Sequence, residues 1–492
     1  MLLLMVLQRV VGLSRNILFC RFLDPAELGR WNLAFSILVL AAPLIILGLP
    51  GSFGRYVEHY RQQGQLRTFL HRTTWMTVIC ACLGVATLAL FAEQFAWLFL
   101  GGRSEIGLVW TIGTALLLVI AFNYFIELFT ALRQVRVVSL MRFGHSVLFA
   151  ICALGMVLGY GASAVSVVKG YGFACLITGC VAIIPLTRTW RDLPQPASQL
   201  RHTDLWAKLL PFAALIWFSD LIGNLFGAAD RYMIVHFAGL PAAAAVALVG
   251  QYHSSRVIPE LIVSFGDVLA GLVMPYQTDD WEKGHRQRVS DKLHLTFKLY
   301  GLAATMGGCV VLVVAPWLFS TVLGGKYNDG LQVLPWTMTY CIWFGMCVIL
   351  NNYLLCGERA GSRGLSLAVG LGVNVVLNFI LLPRFGLLGA VLATAAGNLT
   401  VMTAVYISVR RAGMNFDFGT LVIAALPILL AMGALVTALS LAATAMAACT
   451  TDWIFTRIQR QFVEKEICRV RRWLGPILRI GASRTVTVQS AG

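Results

Sequence analysis

Charged residues are scarce in this chain of 492 residues: Asp, Glu, Lys and Arg make up only 12% of it. A soluble globular domain carries about 25% charged residues. Apolar residues make up 58% of the chain and form runs that are long enough to cross a bilayer as helices, which takes about 20 residues. The scarcity of charge excludes a soluble fold. It predicts an all-α polytopic membrane protein, because helices satisfy their own backbone groups in lipid.

Two chemical signatures are also missing. No Gly-x-x-x-x-Gly-Lys-Ser/Thr segment occurs, so ATP is not the expected energy source. None of the twelve cysteines has zinc-ligand or Cys-x-x-Cys spacing, so we assign no disulfide, no metal and no cofactor. The net charge of +16 comes mostly from short loops between apolar runs, which argues against nucleic acid as a partner.

The apolar runs predict the membrane spans and, near residue 200, a linker with two prolines. Met1 opens the first run without a basic lead-in, which is typical of a membrane helix rather than of a removed signal peptide. The predicted spans are residues 1–20, 32–54, 73–100, 105–131, 143–160, 164–187, 209–236, 245–275, 296–323, 331–356, 364–383 and 386–409, followed by a last apolar stretch at 418–449.

Loop charges predict the orientation of the chain. Basic residues concentrate in alternate loops, which places these loops and the N-terminus in the cytoplasm of a bacterial inner membrane. The stretch 418–449 is long for one span and short for two. Pro427 and Gly433 favour a hairpin, which gives fourteen spans and a cytoplasmic basic tail. A single thirteenth span, with the tail outside, is the alternative. The tail mixes arginines with aromatic residues and is predicted to lie on the membrane as an amphipathic helix, or else to be disordered.

An internal repeat divides the chain. Residues 22–31 and 237–252 each combine an apolar end, a turn with proline and a Gly-x-aromatic helix start. Residues 160–164 and 385–390 match with a similar offset of about 220 positions. The repeat predicts two six-helix lobes around a central cavity. The predicted units are an N-terminal lobe (1–200), a C-terminal lobe (201–411), an extra apolar span or hairpin (412–450) and a basic amphipathic tail (451–492).

Motifs along the chain resemble those of a known family. The strongest is NVVLNFILLPRFGLLGAVLAT at residues 374–394, and it is accompanied by RFLDPAELGRW at 21–31, GLPG at 48–51 and ADRY at 229–232. Their order and spacing over nearly the whole chain to residue 415 resemble the polysaccharide (O-antigen, Wzx-type) flippases. These belong to the multidrug/oligosaccharidyl-lipid/polysaccharide exporter superfamily.

The resemblance implies two lobes that alternate between inward-open and outward-open states. It also implies a substrate made of polyprenyl diphosphate and a sugar repeat unit, with a polysaccharide polymerase or export machinery as a partner. The chain is expected to be a monomer. Two rivals share the superfamily: a cation-coupled multidrug antiporter and a flippase for lipid-linked peptidoglycan precursor. A membrane glycan polymerase or ligase is disfavoured, because every outer loop is too short to carry a catalytic domain.

Ionisable residues inside the spans are costly and therefore mark the candidate site. In span 7, Asp220, Asn224, Gly227 and Arg231 fall on one helical face, which should point to a cavity or a partner helix. Asp220 lies nearest the middle of that span and is expected to be the most deeply placed. Arg231 lies near its outer end and has the alternative of reaching the interface by its long side chain.

Spans 1 and 8 continue the pattern. Arg15 in span 1 is expected to join Arg231 and Arg256 in a cationic surface for a diphosphate, since the fork of arginine matches phosphate oxygens. Arg256 and Glu260 are four residues apart and form a pair on one face, which could serve structure alone. Asn224, Trp217 and Tyr252 are candidates to meet sugar rings. Carboxylates that could carry coupling protons are Asp220, Glu260 and Asp267.

Overall fold

The structure is a computed structural model that describes residues 2–102, 105–193, 195, 200–414, 416–455 and 459–461, and this part of the chain is helical. Most of the predicted basic tail lies outside these residues. The helices are α1 (Leu2–Phe22), α2 (Pro25–Ile45), α3 (Phe53–Gln62), α4 (Leu66–Leu90), α5 (Ala92–Leu100), α6 (Ile106–Ala131), α7 (Val135–Tyr160), α8 (Ala164–Asp192), α9 (His202–Phe237), α10 (Ala242–Arg256), α11 (Pro259–Glu282), α12 (Arg286–Trp317), α13 (Asn328–Cys356), α14 (Ala360–Arg411), α15 (Phe418–Ala425) and α16 (Ala434–Thr450). Within the described ranges, ten helices are long and apolar enough to cross a membrane, which confirms the all-helical class.

Proline and glycine decide where helices begin and break. The predicted span 32–54 begins earlier, at Pro25, because Asp24 is extended and proline suits the first helical turn. The predicted span 245–275 is two helices, α10 and α11, which separate just before Pro259. In α14 the backbone breaks at Gly386, whose φ of 55° and ψ of −133° are non-helical. The predicted span 73–100 also ends early, at Leu90, and α5 follows it.

Helices α2 and α10 cross closely through a reciprocal pair of glycines. A Cβ added to Gly29 would lie 1.9 Å from the carbonyl oxygen of Val246, and one added to Gly250 would lie 1.9 Å from that of Pro25. Small residues permit such approach between membrane helices. Gly29 and Gly250 are also the equivalent positions of the predicted repeat. At this crossing, the helices that carry the two halves of the predicted repeat lie against each other.

The last apolar stretch folds back on itself. Helix α15 continues as a 3-10 helix, Leu426–Met432, and a turn at Gly433 with a φ of 106° leads into α16. The break falls at Pro427 and Gly433, the residues that favoured a hairpin. The chain after α16 returns to the end of the bundle from which α15 started.

A buried lysine binds the chain both before and after this hairpin. Lys298 of α12 is fully buried, and its Nζ donates to the carboxylate of Asp417, to the carbonyl oxygen of Ile454 at 2.6 Å and to Oε1 of Gln459 at 3.3 Å. Burial raises the pKa of Asp417, but hydrogen bonds from Lys298 and Thr420 outweigh this and hold the pKa below its usual range. Residues 417 and 454 thus lie at the same end of the bundle.

The helix crossing predicts a stability effect. We expect Gly29→Ala to lower the melting temperature of the purified protein, because the added carbon collides with backbone and overpacking costs about 1–3 kcal/mol. The matched control is Gly155→Ala in α7, where an added Cβ meets nothing within 4 Å. Melting would be followed by tryptophan fluorescence. Equal melting temperatures for the two variants would contradict close packing at the crossing.

Candidate functional site

A polar cavity of about 350 Å³ lies where α1, α2, α7, α8, α9 and α11 meet around the crossing. Arg15, Arg231 and Glu260 line it, as do Arg9 and His253. Three of the six candidate site residues therefore share one cavity, although they lie up to 245 positions apart in the chain. Its aromatic wall is formed by Trp31, Phe35, Phe149 and Tyr171.

Arg15 is held in place by aromatic rings. Its guanidinium carbon lies 4.1 Å from the ring centroid of Phe149 and 5.9 Å from that of Phe19. Its only hydrogen bond to another described side chain is a long one of 3.4 Å, from Nη2 to Oδ1 of Asn16. Its Nε atom is buried and has no hydrogen-bond partner. A cation held by rings keeps most of its donors free for an anion.

Arg231 is buried and does not reach out to the interface. Only 9% of it is exposed, and its Nη1 donates to Oγ of Ser36 in α2 at 2.5 Å. Its Nε atom is also buried without a partner. The structure therefore places Arg231 on the cavity wall rather than at the membrane surface, which was the alternative for this residue.

Arg256 and Glu260 form the predicted pair. Nη2 of Arg256 lies 3.2 Å from Oε1 of Glu260, and the guanidinium stands over the ring of Tyr252 at 5.5 Å. Glu260 lines the cavity, whereas Arg256 lies behind its wall. Arg256 thus neutralises Glu260, whereas the cavity-lining Arg9, Arg15 and Arg231 have no carboxylate partner among the described contacts.

Helices α2 and α10 make a contact at the edge of the cavity that was not predicted from the sequence. Nδ2 of Asn32 lies 2.6 Å from Nδ1 of His253, and both residues are buried. The two are 221 positions apart, the same offset as Gly29 and Gly250. The repeat was the signal that could have paired them.

The remaining candidates lie elsewhere. Asp220 is exposed rather than deeply buried, and it lines a neighbouring cavity of about 350 Å³ together with Glu127. Tyr171 lines both cavities. Asn224 is half-buried on α9 and does not line the arginine cavity. Asp267 is exposed on α11, and the charges that act on it are Arg9 and Arg363.

Two of the three residues expected to meet sugar are occupied by other contacts. Tyr252 is fully buried and donates to Oδ2 of Asp230 at 2.9 Å. Trp217 donates through Nε1 to the carbonyl oxygen of Leu44 at 3.2 Å. The aromatic surface that does face the cavity includes Trp31 and Phe35, which the sequence analysis did not select.

Asp230 is the centre of a second buried cluster. Its Oδ1 accepts from Nδ2 of Asn374 at 2.8 Å and of Asn378 at 3.1 Å, and its Oδ2 accepts from Thr394 at 2.7 Å and from Tyr252. All but Tyr252 belong to the family motifs at 229–232 and 374–394. The motifs therefore meet in one place, where four neutral donors stabilise a carboxylate. Among the described residues, no group of three or more His, Cys, Asp or Glu side chains could hold a metal ion.

Comparisons with known proteins agree with the fold and with the family resemblance. The family model described as "Polysaccharide biosynthesis protein" matches residues 1–271. The "Lipid II flippase MurJ" of Bacillus subtilis is 21% identical over 450 residues, which cover 83% of this chain and 81% of that protein. The "Probable low-salt glycan biosynthesis flippase Agl15" of Haloferax volcanii is 24% identical over 163 residues, or 32% of this chain. This match and one further curated match span only 34% and 33% of those relatives' lengths.

Two solved structures show the same fold. A "Lipid II flippase MurJ, inward closed conformation" superposes with a TM-score of 0.69 at 11% identity, and covers 97% of this chain and 100% of that one. An inward-facing multidrug resistance MATE family transporter of the MOP superfamily superposes with a TM-score of 0.64 at 12% identity, and covers 82% of this chain and 94% of that one.

The cluster around Asp230 predicts a charge-specific stability effect. We expect Asp230→Asn to lower the melting temperature, because an amide nitrogen would then face two of the four donors. Leaving buried donors without an acceptor costs about 1–3 kcal/mol. Asp267→Asn, at an exposed position, is the control with the same change of charge. A melting temperature for Asp230→Asn equal to or above that of the parent would show that no carboxylate is needed there.

Proposed function

Because the chain belongs to the polysaccharide biosynthesis protein family, we propose that it is a flippase that moves a polyprenyl-diphosphate-linked oligosaccharide from the inner to the outer leaflet. This family consists of transporters and not of enzymes. The observation that carries the proposal is the pair Arg15 and Arg231 in one polar cavity, each with an unpartnered buried Nε.

The two arginines suit a diphosphate. Each guanidinium offers a planar fork of donors that matches the oxygens of a phosphate, and neither loses its charge at physiological pH. Buried donors without partners carry a desolvation cost, which an anionic ligand would remove. The sugar would then lie against the aromatic wall that contains Trp31 and Phe35.

The proposed architecture follows the predicted units. Two six-helix lobes, at 1–200 and 201–411, would hold twelve core spans, with the break at Gly386 separating the last two. The hairpin of α15 and α16 would add two more spans. The contacts of Lys298 with Asp417 and Ile454 support an even number of spans, and hence a tail on the cytoplasmic side of a bacterial inner membrane. Alternating access would require α2 and α10 to part at their glycine crossing.

Two alternatives share the fold. The likeness to a multidrug transporter keeps a cation antiporter in view, but a cavity that exposes Arg15 and Arg231 disfavours a cationic substrate. A flippase for lipid-linked peptidoglycan precursor has firmer support, because the similarity to MurJ spans most of both chains. That substrate would present the same diphosphate, so the arginines would play the same part.

The cavity predicts a transport phenotype. In proteoliposomes with a fluorescent polyprenyl-diphosphate sugar, we expect Arg15→Ala and Arg231→Ala to slow flipping by about tenfold or more, as the loss of one charged contact of about 1.5–3 kcal/mol implies. Leaflet exposure would be followed with an impermeant quencher. Arg136→Ala, at an exposed position on α7, is the control with the same loss of charge.

Two results would count against the proposal. If flipping were equally fast in the parent and in both arginine variants, the arginines of the cavity would not be needed for transport. A parent that leaves the lipid in place but exports organic cations would favour the antiporter, with Asp220 and Glu260 as its site.

Three carboxylates are candidates for the group that couples transport to protons. We propose Asp220, Glu260 and Asp267 as candidates, and Asp220 has the added support of a neighbouring carboxylate, Glu127, in the same cavity. If Asp220 carries the proton, Asp220→Asn should flatten the pH dependence of flipping, because the amide cannot ionise. Glu260→Gln and Asp267→Asn would be measured beside it. A pH profile unchanged in Asp220→Asn would remove that residue from the mechanism.

A further inference from the structure

A third cavity, separate from the two described above, lies on the surface of the bundle formed by α4, α6 and α8. It measures about 610 Å³, and most of its lining is apolar. Its wall includes Val78, Ala81, Leu117 and Ile120. Part of this wall is open to the surroundings, which in a membrane are lipid: Val78 is 46% exposed and Leu117 is 37% exposed.

One end of this groove is polar and basic. Arg191, at the end of α8, and His71, near the start of α4, both line it. Arg67 lies one turn before His71, and its guanidinium is 5.8 Å from the ring centroid of Trp190, another lining residue. None of the described lining residues is acidic, so the basic end is not neutralised from within the groove.

The length of the groove and the position of its basic end match those of a lipid in one leaflet. From His71 to Cys82, α4 rises about 16 Å, close to half of the roughly 30 Å thickness of a bilayer's hydrocarbon core. Trp75 and Trp190 stand at the basic end, as tryptophans do at membrane interfaces. The basic end lies at the ends of α4 and α8 that the charge bias predicts to face the cytoplasm.

We propose that this groove is a binding site for an anionic glycerophospholipid of the cytoplasmic leaflet. Arg191, with Arg67 beside it, would meet the anionic phosphate of the headgroup, and one acyl chain would fill the apolar part between α4 and α6. The groove uses a different face of α6 from the cavity that holds Asp220 and Glu127, so the two cavities are separate.

Native mass spectrometry of the delipidated full chain would test the site. Phosphatidylglycerol and phosphatidylcholine with identical acyl chains would be titrated separately. We expect the parent to bind phosphatidylglycerol more tightly. Arg191→Ala should weaken that binding about fivefold, which corresponds to about 1 kcal/mol for one arginine near an anionic surface, and should weaken phosphatidylcholine binding less, because choline already compensates the phosphate charge of that lipid.

A second variant tests the apolar part of the groove. Ala121→Trp places a large ring in the groove and should weaken the binding of both lipids. The matched controls are Arg136→Ala, an exposed arginine on α7, and Ala86→Trp, an exposed alanine of α4 beyond the groove. Neither control should change lipid binding, and melting temperatures would confirm that each variant is folded.

Three outcomes would overturn the proposal. The first is equal binding of the two lipids by the parent, and the second is undiminished binding of phosphatidylglycerol by Ala121→Trp. The third is a polyprenyl phosphate that displaces phosphatidylglycerol from the parent but not from Ala121→Trp. The last outcome would make the groove a site for the substrate's tail. Because no step of the test requires transport, its result is independent of the flippase assay.

Discussion

The close crossing of α2 and α10 is the constraint on which the rest of the molecule depends. Gly29 and Gly250 let two backbones approach to a distance that no side chain would allow. Within the same crossing, Asn32 meets His253, and Arg231 reaches Ser36 on α2. In a bilayer, association of helices rests on packing and on interhelical hydrogen bonds, since lipid is as apolar as the side chains. The crossing supplies both and forms one side of the arginine cavity.

The arginines in and around this cavity differ in the kind of group that each one contacts. Arg256 is bound to a carboxylate and stands outside the lumen, whereas Arg15 is held by aromatic faces and Arg231 by a hydroxyl. A guanidinium paired with a carboxylate has little left to offer an anion. One held by neutral groups keeps its charge uncompensated. The three arginines therefore differ in their neighbours, and this difference is why we propose Arg15 and Arg231 rather than Arg256 as the cations that meet the ligand.

Sequence patterns correctly predicted the all-helical class and the family, because these depend on composition, helical spacing and ordered motifs. They also predicted the Arg256–Glu260 pair, since residues four apart on a helix must face the same way. Periodicity gives the face of a helix but not its neighbour. Asp220 therefore lies in another cavity than Arg231 although both share a stripe on α9. The cluster of Asp230 with Asn374 and Thr394 joins motifs more than 140 positions apart, and nothing in their spacing indicated a hydrogen bond.

The reciprocal contacts at the crossing also bear on how such a chain could have arisen. Gly29 approaches Val246 as Gly250 approaches Pro25, the pattern of an isologous interface between two identical subunits. On such an axis a residue meets its own copy, so an ancestral dimer would have paired one side chain with itself where Asn32 now meets His253. Fusion of the two copies into one gene frees these positions to differ. A contact between two different residues on the axis, here Asn and His, is one that two identical subunits could not make.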